Sequence, residues 1–473
     1  MMRSLFSGVS GLKTHQTKMD VIGNNIANVN TVGFKSSSVT FSELMYQTTQ
    51  SASGANADTG RGGVNARQIG LGVTSGAINT NITTSGSSQT TGNPFDLQIS
   101  GDSFFIVSDG TQNYFTRAGA FYVDGSGNLA MTSNGFKVMG WQEDADNPGT
   151  IKKDIVSSLK ITTATNMTSE PEATTQAYIT GILDKNSTGL TSSSGQAVSI
   201  PFYDNAGTSY TAKYAIYSTD DSGNALDEGV YRMVLTDIVD SDGDSIVTGS
   251  NTLADYVTIS GAATPTNTIY LAYDIDDGTY IGWDTVATTT PTNQVDATSG
   301  EETNPFKMTF TEAGYPDTIT VGMNTTTRWD NSGTSTITGK KGDYDGNYTG
   351  RTYGTMSGVS IDTSGMIYAS YSNGTSKLLG QIAVASFANP SGLEKIGENL
   401  YQTTQNSGDF DGVGNDVTAD GVGKISTGVL EMSNVDLSSE FTEMITTQRG
   451  FQANSRIITV SDTMLEELTN LKR

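Results

Sequence analysis

The sequence predicts a multidomain protein with discontinuous all-β middle and outer domains, of Greek-key, sandwich or barrel type. N- and C-terminal α-helices are predicted to form a coiled-coil-like core domain. Three observations lead to this prediction. Apolar residues recur at alternating spacings of three and four near both ends, a pattern typical of paired helices. Between the ends, short β-type runs alternate with Gly, Asn and Asp turns. Gly numbers 54 and hydrophobic content is 35%, which favours many short strands over one large helical core.

The two terminal segments carry the helical pattern. In the first segment, the predicted core positions are Leu5, Val9, Leu12, Gln16, Met19, Ile22 and Ile26. In the second segment, they are Leu437, Phe441, Met444, Gln448, Phe451, Ile458 and Leu465. Ser433 and Asn434 precede the second run and are the predicted N-cap residues. Residues 1–30 and 431–473 are therefore predicted to form one core domain.

Charge favours pairing of the two ends. Residues 1–35 carry four Lys or Arg against one Asp, whereas residues 431–473 carry seven Asp or Glu against four Lys or Arg. Exposed ion pairs contribute little energy, but they bias which helix meets which. Gly8, Gly11 and Gly23 weaken the first helix by about 0.8–1 kcal/mol each relative to Ala. We expect both ends to be largely unfolded in the free monomer and helical once packed.

The central part of the chain has a β pattern. "VDGSGNLAMTSNG" from Val123 is echoed by "IDTSGMIYASYSNG" from Ile361. Both predict a strand, an Asp/Gly turn, a second strand and an Asn-Gly turn. We therefore predict one inner β domain, split in sequence between residues 76–150 and 351–430. Residues 151–350 are the predicted inserted outer β domain, in one lobe or two, and residues 31–75 are a connecting segment.

Composition excludes several function classes. The formal net charge is −24, which argues against nucleic acid as a partner because phosphate binding needs clustered Lys and Arg. The sequence has no Cys, so it forms no disulfide and has no thiolate nucleophile. No apolar run is long enough to predict membrane insertion. The N-terminus lacks the pattern of a cleaved signal peptide.

The sequence offers little for catalysis or metal binding. His15 is the single histidine, and no partner nucleophile stands in an obvious motif. Asp240, Asp242 and Asp244 have the spacing of a calcium loop, but Ser245 replaces the glycine and Asn251 the bidentate glutamate. Similar incomplete loops begin at positions 343 and 409. We predict solvated β-turns there, no enzyme activity and no cofactor or metal.

"NNIANVNTVGFKSSSVTF" resembles the N-terminal signature of bacterial flagellar rod and hook proteins, and "SNVDLSSEFTEMITTQRGFQANSRIITVSDTMLEEL" resembles their C-terminal signature. "GNPFDLQISGDSFFIV" and "YFTRAGAFYVDGSGNLAMTSNGFKVMGW" resemble the inner β domain of that family. The signature residues are Asn24, Asn25, Asn28, Asn30, Gly33, Phe34, Gln448, Arg449 and Asn454. The large inserted domain favours the hook branch over the distal rod.

The resemblance implies a structural role. The chain is expected to be a subunit of a helical tubular polymer, a flexible universal joint that transmits motor torque from rod to filament. The four asparagines are expected to end the first helix and supply amides for intersubunit hydrogen bonds, with Gln448 and Asn454 as candidate partners. Phe41 and Met45 weakly resemble an export-gate recognition element.

The same resemblance implies the surroundings of the protein. The expected location is the extracellular part of the flagellum, reached by type III export without a cleaved signal peptide. Expected partners are copies of the chain itself, the rod, the hook cap, the hook–filament junction protein, the hook-length ruler and the export gate. The alternatives are a distal rod protein or, more remotely, a secreted β-rich adhesin.

Overall fold

The computed structural model describes residues 2–54, 60, 62–144, 146–247, 252–259, 267–296, 302–311, 314–419 and 422–471. These residues divide into two compact units. Unit 1 comprises Met1–Asn166, Gly358–Ser370 and Ser376–Arg473, and unit 2 comprises Met167–Ser357 and Tyr371–Thr375. Among the described residues, no helix combines the length and the apolarity needed to cross a bilayer.

The elements of the N-terminal part are α1 (Met2–Ala27), β1 (Ser37–Glu43), β2 (Tyr46–Gln50), β3 (Arg67–Gly70), β4 (Val73–Thr80), β5 (Ser88–Thr90), β6 (Leu97–Ser100), β7 (Phe104–Ser108), β8 (Asn113–Thr116), β9 (Phe121–Val123), β10 (Leu129–Met131), β11 (Lys137–Gln142) and β12 (Ser157–Ser158). Those of the central part are β13 (Thr168–Ser169), β14 (Gln176–Asp184), β15 (Gln196–Tyr203), β16 (Ser209–Tyr217), β17 (Val230–Asp240), α2 (Leu253–Tyr256), β18 (Val257–Ile259), β19 (Thr268–Tyr273), β20 (Tyr280–Asp284), β21 (Asn293–Gln294), β22 (Phe306–Phe310), β23 (Thr318–Trp329) and β24 (Thr338–Lys341). Those of the C-terminal part are β25 (Gly354–Ile361), β26 (Met366–Tyr371), β27 (Ser376–Ile382), β28 (Val384–Ala385), β29 (Glu394–Gly397), β30 (Leu400–Gln402), β31 (Lys424–Thr427), β32 (Val429–Glu431) and α3 (Leu437–Asn470).

The terminal helices α1 and α3 pack against each other within one chain, which confirms the predicted pairing. Asp436, rather than Ser433 or Asn434, caps α3: its side chain accepts a hydrogen bond from the Ser438 amide. Asn434 instead accepts a hydrogen bond from the Ser36 amide at 2.8 Å. The residues just before α3 are therefore hydrogen-bonded to the segment that follows α1.

Two antiparallel ribbons follow α1. β1 pairs with β4, and β2 pairs with β3. Large apolar side chains remain exposed along them, namely Phe41, Leu44, Met45, Tyr46, Val64, Ile69 and Ile78. A two-stranded ribbon is marginally stable by itself, so this segment has apolar surface that the described fold of one chain leaves in water.

The β part of unit 1 is built around one long sheet. From β26 its strand order is β26-β27-β11-β7-β8-β30-β29. Strands of the C-terminal half therefore lie on both sides of the N-terminal strands β11, β7 and β8 in one sheet, as expected for a domain split by an insertion. Its core is formed by Ile82, Phe104, Ile106, Phe115, Trp141, Val156, Ala383, Ala385, Leu393 and Tyr401.

The internal echo in the sequence corresponds to two similar hairpins. Asp124 Oδ1 accepts from the amides two and four residues later, at 2.9 and 2.7 Å. Asp362 Oδ1 does the same at 2.9 and 2.9 Å. In each turn a glycine with positive φ follows three residues after the aspartate, at Gly127 (φ 81°) and Gly365 (φ 78°). The shared motif thus specifies a shared turn.

Unit 2 contains two sheets, with strand orders β18-β22-β23-β14-β24 and β15-β16-β17-β19-β20-β21. Residues of both sheets form one hydrophobic core, including Ile179, Ile200, Met233 and Val321. A single core is what one sandwich-like lobe requires. The unit begins at Met167 rather than at the predicted position 151, because Ser157 and Ser158 pair with β11 of unit 1.

Candidate subunit interface

The contact between α1 and α3 is an antiparallel seam. Gly8 lies over Ile458, His15 lies over Gly450, and Asn25 donates to Glu440. On α3 the positions turned inward repeat at four and three residues: Glu440, Met444, Thr447, Phe451, Asn454, Ile458, Ser461 and Leu465. This spacing is that of a coiled-coil seam.

The structure brings most of one of the two predicted rows of α3 into the seam. Met444, Phe451, Ile458 and Leu465 lie at least partly buried in it. Leu437, at the start of this row, is exposed, and so are Phe441 and Gln448 in the other predicted row. Small and polar residues occur there instead, because close approach of two helices needs little side-chain volume.

On α1 the outcome is similar. Leu5, Leu12, Met19 and Ile26 are half-buried and Ile22 is buried, as expected. Val9 and Gln16 are exposed, and the neighbouring Gly8 and His15 contact α3. Apolar character alone therefore misplaced the second contact row on both helices.

Glycines set the distance between the helices. A Cβ atom at Gly11 would lie 2.7 Å from the side chain of Asn454. A Cβ atom at Gly450 would lie 2.7 Å from the ring of His15. At Gly23, by contrast, a Cβ atom would meet nothing within 4 Å. The seam thus depends on two of these glycines and not on the third.

His15 belongs to a small cluster that joins α1, α3 and β1. Its ring lies 5.5 Å from that of Phe41 in an edge-on arrangement. Lys18 forms a 3.0 Å ion pair with Glu443 and lies 5.8 Å from the Phe41 ring. Burial, and then the positive charge of Lys18, lower the pKa of His15. His15 is therefore a packed seam residue rather than the solvated side chain that its polar surroundings suggested.

The asparagines at the C-terminal end of α1 and just beyond it have distinct roles. Asn25 is buried; its amide donates to Ser37 O (2.8 Å) and Glu440 Oε1 (2.9 Å), and its oxygen accepts from the Ser37 amide (3.0 Å). Asn28 donates to Asn24 O at 2.9 Å and so ends the helix. Asn30 is exposed. Asn25 is thus satisfied within the chain, and the intersubunit role remains a prediction for the exposed ones.

The remaining signature residues take various positions. Gln448 and Arg449 are exposed on α3, with Arg449 Nη1 donating to Gln452 Oε1 at 3.5 Å. Asn454 packs on Gly11. Phe41 is only partly covered and Met45 is highly exposed, so their export role remains a prediction.

Gly33 and Phe34 form the bend between α1 and β1. Gly33 has φ +69° and passes 2.7 Å from the Ala118 nitrogen, measured from where its Cβ atom would be. Its amide donates to Glu431 O at 2.8 Å. Phe34 is buried beneath Lys395, whose pKa is lowered to about 8 by burial. No other residue fits this bend as well as glycine does.

A buried ionic cluster beneath this bend was not predicted. Lys35 Nζ lies 2.8 Å from Glu431 Oε1, and both side chains have no exposed surface. Arg117 Nε lies 3.6 Å from Glu431 Oε2. Burial lowers the pKa of Lys35, and the Glu431 carboxylate opposes this shift. The position of Lys35 directly after the signature residue Phe34 was the available sign of a buried charge. Its charged neighbours Glu431 and Arg117 could not be identified, because they are far away in sequence.

The Asp-rich loops are turns. Asp240 Oδ1 accepts from the amides of Asp242 and Asp244, both at 3.0 Å, and Ser245 bonds Asp237. The same pattern occurs at Asp124, Asp204, Asp220, Asp343 and Asp362. Asn251 lies outside the described residues, among which no three acidic or histidine side chains cluster as a metal site.

An apolar surface remains uncovered on the helix pair. Phe6 and Val9 on α1 are 65% and 54% exposed. On α3 the exposed apolar side chains are Leu437, Phe441, Ile445, Ile457, Val460, Met464, Leu468 and Leu471. Exposed apolar side chains repeated along a helix in this way mark an interaction site.

Comparison with known proteins is consistent along the chain. Residues 5–35 match the family described as flagella basal body rod protein, residues 98–171 the flagellar hook protein FlgE/F/G D1 domain, and residues 426–471 the flagellar basal body rod FlgEFG protein C-terminal. Flagellar hook protein FlgE of Treponema pallidum is 36% identical, with 100% of both chains covered. FlgE of Borreliella burgdorferi is 35% identical, again with 100% of both chains covered. The basal-body rod protein FlgG of Bacillus subtilis is 30% identical over the same coverage.

Proposed function

Because the chain belongs to the family of flagellar hook and rod proteins, we propose that it polymerises into the flagellar hook, a tube that bends while it transmits torque. The observation that carries this proposal is the apolar surface left in water on the paired terminal helices. Burying such side chains contributes about 1.5–3 kcal/mol each. Copies of the chain are the partners that would cover it.

The geometry of the surface favours an open polymer. Its residues lie on the flanks of an intrachain helix seam, so covering them requires another molecule. A contact between two different faces of neighbouring subunits repeats without closing when the rotation between them does not close. A helical tube is the result.

The outer part of the subunit supports flexibility. Unit 2 carries 8 Lys or Arg against 25 Asp or Glu, a net charge of −17. Like-charged outer surfaces repel and stay hydrated, and wet contacts exchange with little change in free energy. The tube would then be held by its helices while its outer surfaces slide.

The subunit is placed outside the cell in this proposal. The family belongs to the flagellum, and we infer export through the flagellar type III apparatus, with the exposed Phe41 and Met45 as candidate contacts of its gate. The rod, the hook cap, the junction protein and the length ruler would be its neighbours. Its role is structural, without catalysis.

The test is polymerisation of variants that leave the seam intact. We expect the Phe441→Ser/Ile445→Ser variant to keep the monomer's melting temperature and to raise the critical concentration by about 100-fold, because two exposed apolar anchors are lost. Ile155→Ser, at a residue that is 72% exposed in unit 1, is the matched control. Sedimentation and electron microscopy provide the measurement. Unchanged tubes in the double variant contradict the helix-face contact, and straight wild-type tubes indicate a rod protein.

A further inference from the structure

Glu431 is the centre of a charged cluster without contact to water. Its Oε1 atom lies 2.8 Å from Lys35 Nζ and 3.0 Å from the Gly86 nitrogen, which donates to it. Lys35 Nζ also donates to Thr84 O at 2.7 Å. The cluster therefore joins the segment after α1, the loop before β5 and the strand before α3.

Arg117 completes the cluster. Its Nη1 and Nη2 atoms donate to Ser103 O (2.5 Å) and Gly101 O (2.6 Å). Its Nε atom faces Glu431 Oε2 at 3.6 Å, and neither atom has a hydrogen-bond partner among the described residues. Without Glu431, two buried cations would face each other with no anion between them. Removing one partner of a buried ion pair is strongly destabilising for this reason.

The strands around the cluster close unit 1 from the C-terminal side. β31 pairs with β6 in the register Lys424↔Ser100 to Thr427↔Leu97. β32 pairs with β5, ending at Glu431↔Ser88. β5 and β6 thus lack their partner strands until residues 424–431 are in place.

Unit 2 has no such dependence. The strands of its two sheets, β14 to β24, lie within Met167–Ser357, and its core draws on residues of that range. Its folding needs neither end of the chain.

We propose that the Lys35–Glu431–Arg117 cluster is a folding latch, which keeps the β part of unit 1 open until residues 424–431 dock and lets unit 2 fold first. The cluster thus makes unit 1 complete its folding later than unit 2. When the chain is released from its N-terminus onwards, all residues of unit 2 are available well before residues 424–431. Unit 1 could then close only after residue 431 has been released, when only α3 and the few residues before it remain. The inference concerns folding alone and does not depend on the proposed polymer.

The first test uses hydrogen exchange of the full-length chain, read by mass spectrometry. We expect Glu431→Gln to speed exchange in peptides of β5–β8 by at least about 100-fold, with peptides of β14–β17 unchanged. Asp154→Asn is the matched control, because it removes one negative charge from the exposed Lys152 pair of unit 1. Equal protection of unit 1 in Glu431→Gln and in the wild type would overturn the proposal.

A double variant separates the latch from general damage. Lys35→Met/Glu431→Gln removes one cation together with the anion, so we expect slower exchange in β5–β8 than in Glu431→Gln alone. Exchange as fast as in the single variant, or faster, contradicts the ionic latch.

The order of folding is tested on the wild-type chain, and this test does not depend on whether any variant folds. Pulse labelling during refolding from urea should protect β14–β17 before β5–β8. Simultaneous protection of the two units, or earlier protection of β5–β8, contradicts the latch.

Discussion

Gly11, Gly450 and Gly23 all lie in terminal helices, where glycine costs about 0.8–1 kcal/mol relative to alanine. The first two face the opposite helix at distances that no Cβ atom occupies without displacement, whereas the third faces open space. The same residue type is therefore a packing requirement at two positions and only a weakness at the third.

We expect Gly450→Ala to lower the melting temperature of the helix pair and to weaken polymerisation, because its methyl group meets the His15 ring at 2.7 Å. Gly23→Ala should raise helix stability by up to about 1 kcal/mol. Circular dichroism melts of the two variants provide the measurement. Equal stabilisation by both would mean that the helices do not approach as closely as described.

Asn25 shows what residue type alone can predict. It was one of four asparagines expected to end the helix and to supply amides for intersubunit hydrogen bonds, whereas in the structure its amide bonds within the chain. Its partners, Ser37 and Glu440, lie 12 and 415 residues away, and no local pattern could identify the second of them. The sequence therefore indicated the chemistry of the residue and not whether its partner is in the same chain.

Asn25→Ala should destabilise unit 1 by about 1–3 kcal/mol, since it leaves the partly buried Ser37 amide and carbonyl without their side-chain partner. Asn30→Ala, at an exposed position of the same turn, is the control and should stay within about 0.5 kcal/mol. Urea unfolding followed by far-UV circular dichroism measures both. A loss as large at Asn30 would contradict the separate roles of the two residues.

At the scale of elements, the helices were predictable and the seam only partly so. Period and length identified α1 and α3, and their pairing followed from complementary charge. The contact row containing Thr447, Asn454 and Ser461 was missed because a search for apolar periodicity selects large side chains. Because the two helices pack closely, small and polar side chains occupy this row instead. The large apolar side chains of α3 are exposed and available to other molecules.

The seam should respond to pH through His15. Its pKa in the folded chain is below the ordinary 6.5, so the unfolded chain binds the proton more readily. The neutral ring's contribution to stability is fully present above pH 6.5 and is lost as pH falls through the lowered pKa. We expect the melting temperature to fall between pH 7.5 and 5.5 by less in His15→Gln than in the wild type.

Three other groups at this seam carry charge. Lys18 and Glu443 pair with each other, and burial raises the pKa of Glu440, an effect of opposite sign. Because these groups are present in both proteins, the comparison of wild type with His15→Gln removes their contributions. Identical pH profiles would exclude His15 as the sensitive group.

At the scale of the molecule, the split β domain was visible in the sequence because two hairpins share an Asp–Gly motif, and such turns are specified locally. The boundary at Met167 was not visible, because β12, which pairs with β11, is only two residues long and shows no strand pattern in the sequence. The buried Lys35–Glu431 pair was missed because its two residues are 396 positions apart.

Truncation should distinguish the domains. We expect a chain ending at residue 435 to keep Glu431, remain soluble and folded in its β parts, and form no tubes. A cut before residue 431 removes that carboxylate and should also unfold unit 1, because Lys35 and Arg117 are then buried without an anion. Size-exclusion chromatography and near-ultraviolet circular dichroism compare the two. Tubes from the chain ending at 435 would show that α3 is dispensable.

The antiparallel seam sets Gly8 over Ile458 and Lys18 beside Glu443, so the start of α1 and the last turns of α3 meet at the same pole. A donor and an acceptor dye on the two ends would therefore transfer energy efficiently when α1 and α3 are packed together, and poorly when they are unpaired. Single-molecule fluorescence on dilute subunits would then reveal whether that meeting precedes the joining of one subunit to the next.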